Sequence, residues 1–132
     1  MNVVLDSWAV IAVWWNEPAA ANVATLVDDA DQVLMSWINL GEVLYREARR
    51  SGDLVTTTER IRRFADTVNA EVPNSQLVIA AAAWKSRGGL SYADAFAAAT
   101  AVHHDAHLLT GDPELVALDG VDRLHVIDLR AG

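Results

Sequence analysis

The chain has 132 residues, 52% of them hydrophobic and 21% charged, with three Pro and no Cys. This predicts a single globular domain over residues 1–132, able to bury roughly two-thirds of its unfolded surface without staples, and excludes disordered chains, disulfide scaffolds, thiolate metal sites and Cys nucleophiles. Eighteen acids against ten Lys plus Arg give a net charge of -8, which excludes a general nucleic-acid coat, because phosphate affinity needs basic surface.

Asn2 to Leu5 reads as a short buried strand. Ser7 to Asn16 carries Trp8, Val10, Ile11, Val13, Trp14 and Trp15 in a pattern that suits a largely buried helix. Pro18 opens a second helix to about Asp28, since a first-turn Pro has no N–H to lose there. Gln32 to Ser36 is a second strand. Asn39 to Arg50 is a helix stopped by Ser51-Gly52. Thr58 to Ala70 is another, with Ile61, Phe64, Ala65 and Val68 on one face, closed by Val72-Pro73. Ser75 to Lys85 is an Ala-rich helix ended by Gly88-Gly89, and Ser91 to His103 a second, whose small residues suit close packing. His107 to Thr110 and Leu124 to Leu129 complete four strands. Strands alternating with helices predict an α/β fold, a central parallel sheet flanked by helices in three α/β/α layers. The apolar run at the N-terminus lacks a positive flank and contains Asp6, and no stretch reaches membrane-spanning length, so a soluble cytoplasmic protein is expected.

Four acids stand out by position. Asp6 follows the first strand and Asp112 the third. Glu42 lies in the first turn of the helix after the second strand, and Asp94 in the first turn of the helix from Ser91. The carboxyl ends of parallel strands share one edge, where ligands bind, so these distant acids converge. Each also fits a plain helix cap: Asp112-Pro113 as N-cap and first-turn Pro, Asn39-Leu-Gly-Glu42 as a capping box, Ser91-Tyr-Ala-Asp94 as nearly one. Their surroundings favour more than capping. Glu42 and Asp94 sit in apolar runs, where an unpaired charge is expensive, and four charges in one pocket resist ionisation unless a cation neutralises them. Oxygen-only ligands select a hard ion, Mg²⁺ or Mn²⁺, and such a site suits phosphoryl chemistry with a metal-activated water.

At these residues the sequence resembles the PIN-domain ribonucleases, and most closely the VapC toxins of VapBC toxin–antitoxin modules. The resemblance spans essentially the whole chain and rests on Val4-Leu5-Asp6-Ser7, Asn39-Leu-Gly-Glu42, Leu90-Ser-Tyr-Ala-Asp94-Ala-Phe-Ala-Ala-Ala-Thr-Ala and Leu109-Thr-Gly-Asp112. It implies a PIN-like α/β/α fold, with Asp6, Glu42, Asp94 and Asp112 as the catalytic, metal-binding pocket and Ser7, Asn39 and Thr110 as supporting polar positions. It implies a Mg²⁺- or Mn²⁺-dependent endoribonuclease that cuts structured RNA (tRNA or rRNA) and stops translation. The implied partners are a second copy in a homodimer and a cognate VapB-type antitoxin that blocks the pocket. Two positions depart from the family pattern. Trp8 stands where a small Ser or Ala is usual, and Gly111 where a basic or polar residue is usual; both bear on how RNA is positioned. The alternative is a dimeric PIN-like module that binds RNA or protein without cutting.

Six Arg (Arg46, Arg49, Arg50, Arg60, Arg62 and Arg63) against three acids make residues 46–63 basic within the acidic chain. Arg46, Arg49, Arg50, Arg62 and Arg63 are candidate RNA-phosphate contacts, although Arg46 is also spaced for a helix ion pair with Glu42. His103, His104 and His107 look like a metal cluster, but adjacent helical residues point apart, so no zinc site is expected. Trp14 and Trp15 cannot face one core side, and one of them is expected to meet the partner subunit or the antitoxin. A haloacid-dehalogenase-type phosphatase needs a second Asp where Trp8 stands. A receiver domain needs paired acids after the first strand and a Lys after a late one, and both are missing.

Overall fold

The computed structural model describes residues 1–130. In chain order the elements are β1 (Asn2–Leu5), α1 (Ser7–Trp14), α2 (Ala20–Asp29), β2 (Gln32–Ser36), α3 (Trp37–Ser51), α4 (Leu54–Ala65), β3 (Asn69–Glu71), α5 (Ser75–Ser86), α6 (Tyr92–His103), β4 (His107–Thr110), α7 (Pro113–Val116), a 3₁₀ turn (Val121–Arg123) and β5 (His125–Asp128). All strand pairs are parallel, in the order β3-β2-β1-β4-β5.

The period of two along β1 sorts its side chains between two cores. Val4 joins Leu34 and Leu108 against α5 and α6, with Leu77, Ala81, Trp84 and Phe96. Val3 and Leu5 join Met35 and Leu109 on the other face, against Val10, Ile11, Val23, Leu40, Val43 and Ile61 of α1 to α4. The expected three-layer α/β/α sandwich follows. Ala95 and Ala97 to Ala99 are all buried in α6, where short side chains let the helix lie close to the sheet. Among the described residues no helix is long and apolar enough to cross a membrane.

The structure differs from the sequence reading at several joints. The sheet has five strands, because residues 69–71 leave the expected helix and pair with Leu34 to Ser36 of β2. Asn-Ala-Glu carries no strand signal, so only main-chain pairing at the sheet edge makes it β3. The helix expected over Thr58 to Ala70 is α4, starting four residues earlier. Asp53 caps it, its side chain accepting from the Thr56 N–H at 3.0 Å. Pro18 sits in the turn before α2 rather than opening it, and α1 ends at Trp14. Helix α3 begins at Trp37 with Ser36 as its cap, so Asn39 and Glu42 lie inside the helix and form no capping box.

The chain winds from β1 out to β3 and then returns to place β4 on the other side of β1. This makes the carboxyl edge between β1 and β4 the topological switch point, where open parallel sheets bind ligands.

Candidate active site

Neighbouring register sets the site's floor. Leu5 pairs with Leu109, so Asp6 and Thr110 emerge side by side. Asp6 is the N-cap of α1: its Oδ1 accepts from the Ala9 N–H at 3.0 Å, and its Oδ2 accepts from the Thr110 hydroxyl. The Thr110 hydroxyl in turn accepts from the Asp112 N–H at 3.0 Å. Asp112 caps α7, accepting from the Glu114 N–H at 2.9 Å, with Pro113 in the first helical position. Asp94 lies in the first turn of α6, where Ser91 Oγ accepts its backbone N–H at 3.1 Å. The capping roles expected of Asp6, Asp112 and Ser91 are therefore real, and they coexist with the clustering.

Helix α3 supplies the remaining wall. Asn39 is fully buried and its Nδ2 donates to the Ala93 carbonyl at 3.0 Å, tying α3 to the start of α6. Asn39 Oδ1 and Glu42 Oε1 are buried with no hydrogen-bond partner. Ser7 is buried at the first position of α1, beside Asp6.

The acids feel one another. Burial pushes the Asp6 carboxyl up to about 7, the Thr110 and Ala9 hydrogen bonds hold it down, and the charges of Asp94 and Asp112 raise it further. Asp94 is also raised, first by burial and then by the charges of Glu42 and Glu114, while hydrogen bonds with Asp112 and Ser91 oppose the rise. Glu114 is a fifth member that sequence reading missed. It is exposed, and a hydrogen bond with Asp112 raises its carboxyl. Its signal was visible in Asp112-Pro113-Glu114, a cap followed by a first-turn acid. Among the described residues, no three acidic or His side chains are close enough to share one ion without moving.

The donor set still fits Mg²⁺ or Mn²⁺. Every donor is a carboxylate or amide oxygen, as hard cations prefer. Two of those oxygens are buried without a partner, and mutual repulsion gives the acids a reason to accept a cation.

The other expected groups divide differently. The Arg46–Glu42 ion pair is not formed. The Arg46 guanidinium lies 5.5 Å from the centre of the Trp15 ring, and Arg50 lies 5.1 Å from it. Trp15 Nε1 donates to buried Glu47 at 2.5 Å, and Arg50 pairs with Glu47 at 3.1 Å, so Glu47 rather than Glu42 anchors this cluster. Arg60 covers Trp14 at 3.7 Å, and Trp14 meets Phe64 edge-on. Both tryptophans thus have partners within the chain. Arg49 lies over Tyr45, and Arg62 and Arg63 are exposed in the last turn of α4. Arg50 is eight residues beyond Glu42 along α3, about 12 Å away. The basic face is therefore a neighbour of the acids, not part of their pocket. His103 and His104 do not point apart as expected, since their rings meet edge-on with centres 4.8 Å apart, but the three histidines still form no cluster: His104 pairs with Glu71 at 2.5 Å, and His107 lies beside His125.

The two departures noted in the sequence are one feature. A Cβ at Gly111 would fall 2.3 Å from Cζ2 of Trp8 and 2.5 Å from Cε2 and Cη2. The indole therefore occupies the space a side chain at 111 would need. Gly111→Ala is expected to cost about 1–3 kcal/mol by overpacking, and the loss should shrink in a Trp8→Ala background. Urea unfolding of the two single variants, the double variant and the parent measures both effects.

The fold has close structural counterparts. VapBC-1 from nontypeable Haemophilus influenzae superposes with a TM-score of 0.73 at 24% identity, over 98% of this chain and 99% of that one. A toxin–antitoxin complex from Klebsiella pneumoniae gives 0.72 at 20% identity, over 96% and 97%. VapC20 from Mycobacterium tuberculosis, a sarcin–ricin-loop-cleaving toxin, gives 0.73 at 19% identity, over 93% and 98%. No curated protein sequence matches the chain. The sequence model of the PIN domain matches residues 3–121, which takes in Asp6, Glu42, Asp94 and Asp112, and the chain belongs to the PIN domain family.

Proposed function

We propose that the chain is a divalent-metal-dependent endoribonuclease of the VapC type, the toxin of a toxin–antitoxin pair. One observation carries this reading: Asp6, Glu42, Asp94 and Asp112 come from four separate elements towards one sheet edge, where burial and then neighbouring acidic charges raise the carboxyls of Asp6 and Asp94. A fold needs no such arrangement, and it costs stability unless a cation fills it.

Asp6, Asp94, Asp112 and Glu42 would hold Mg²⁺ or Mn²⁺. When bound, the ion supplies charge neutralisation, polarises a scissile phosphate and lowers the pKa of an attacking water. The chain's own residues do the positioning. The Thr110 hydroxyl and the Ala9 N–H fix both oxygens of Asp6. The Asp112 N–H locks the Thr110 hydroxyl. Asn39 holds the start of α6, and with it Asp94, against α3.

The substrate is structured RNA, tRNA or rRNA, and VapC20 offers an analogy as a sarcin–ricin-loop-cleaving toxin. Exposed Arg49, Arg62 and Arg63 are proposed phosphate contacts, with Arg46 and Arg50 available from their Trp15 stacks. The partner is a VapB-type antitoxin, by analogy with the VapBC and toxin–antitoxin complexes, and the working unit is a cytoplasmic homodimer.

Purified protein with total cellular RNA tests the reading. Discrete fragments are expected with Mg²⁺ or Mn²⁺ and none with EDTA. Intact RNA in every arm, from a folded protein that binds the ion, would overturn it. A second reading, a PIN-like module that binds RNA or protein without cutting, draws on the absence of three acids already closed on one point among the described residues. It predicts that second result.

A further inference from the structure

We infer that Trp8 is a base-stacking wall that selects an unpaired RNA base beside the scissile phosphate. This rests on the nuclease reading above and adds a specificity-determining residue to it. Among the described glycines, only Gly111 has an added Cβ meeting anything within 4 Å, and what it meets is the Trp8 ring. The ring is thus laid against the backbone between Thr110 and Asp112, two acid-pocket positions. It remains half-buried, so part of its surface is open.

Trp8 also lines a cavity of about 470 Å³, together with Pro18, Asn22, Leu129, Arg130 and Glu17. The Leu129 N–H donates to the Thr110 carbonyl at 2.9 Å, so this wall of the cavity is hydrogen-bonded to β4, the strand that Asp112 follows. Arg130 is an exposed part of its wall, paired with Asp128 and within electrostatic reach of Asp112. An indole face, an Asn amide and a guanidinium in a recess of this size suit a planar, hydrogen-bonding, phosphate-linked group. A nucleobase is such a group, and stacking on an aromatic side chain accepts any base. A purely structural Trp8 would need neither the cavity nor the cation beside it.

The test uses short single-stranded RNA with 2-aminopurine at one position at a time, Ca²⁺ as the divalent ion, and fluorescence quenching and affinity as readouts. The full-length protein is compared with Trp8→Phe, which keeps an aromatic face, and Trp8→Leu, which still covers Gly111 but cannot stack. Quenching at one position is expected for the parent and for Trp8→Phe. Trp8→Leu should lose the quenching and bind about tenfold more weakly. Equal behaviour of Trp8→Leu and Trp8→Phe, both folded, would overturn the inference and leave Trp8 as packing. Metal-dependent cleavage of total RNA by the parent separates the failures. If cleavage persists without position-specific quenching, only the base wall falls. If the parent neither binds nor cuts RNA, the nuclease reading falls with it.

Discussion

At pH 8 and without metal, Asp6→Asn is expected to be more stable than the parent by about 2–3 kcal/mol. Asp6 is buried and its carboxyl sits at about 7 against an ordinary 3.8. The folded state therefore binds its proton more tightly than the unfolded chain does. The resulting stability is fully present below about pH 4 and is lost as pH rises through about 7, a change of about 4 kcal/mol at 1.36 kcal/mol per pH unit. Asn carries no charge to desolvate and can still accept the Ala9 N–H. One hydrogen bond with Thr110 must rearrange, which returns about 1 kcal/mol. The desolvation gain is larger, so the net effect is stabilising. Thermal or urea unfolding in EDTA across pH 5 to 8 should show the parent weakening steeply and Asp6→Asn much less, since the variant loses the raised Asp6 carboxyl and keeps that of Asp94. Mg²⁺ should then restore the parent at high pH and do little for Asp6→Asn. A parent whose stability is flat or rising over this range would contradict the account.

Much of this arrangement was legible in the chain. Asn-Val-Val-Leu followed by Asp6, and His-Leu-Leu-Thr followed by Gly-Asp112, mark strand ends by apolar runs that stop at a cap. The parallel topology then puts those caps together. What was hidden depends on tertiary pairing. Residues 69–71 form a strand only because β2 offers a free edge. Arg46 lies over the Trp15 ring instead of pairing with Glu42, and an i, i+4 ion pair, worth only about 0.2–0.5 kcal/mol, is a weak competitor for it. The Trp8–Gly111 complement joins residues more than a hundred positions apart, and no local spacing announces it. Glu114 was overlooked because it is exposed and its role lies in its contact with Asp112.

The second large effect concerns the chemistry. Asp94→Asn removes one charge from the acid ring and leaves the fold intact, because the Ser91 cap bonds the backbone N–H rather than the side chain. Loss of a neighbour that orients a metal ligand typically costs about 10–100-fold in metal affinity or activity. Loss of a ligand itself should cost more than about a hundredfold.

On the proposed function, the carboxylates of Asp6, Glu42, Asp94 and Asp112 hold the ion that makes the chain a nuclease. The most direct measurement is the cleavage rate of total cellular RNA by the parent and Asp94→Asn, each followed across a Mn²⁺ titration. Metal-saturable cleavage is expected of the parent. A loss of more than about a hundredfold is expected of the variant, partly recovered at high Mn²⁺. Equal cleavage by the two proteins, or cleavage that ignores the metal, would contradict the proposed function.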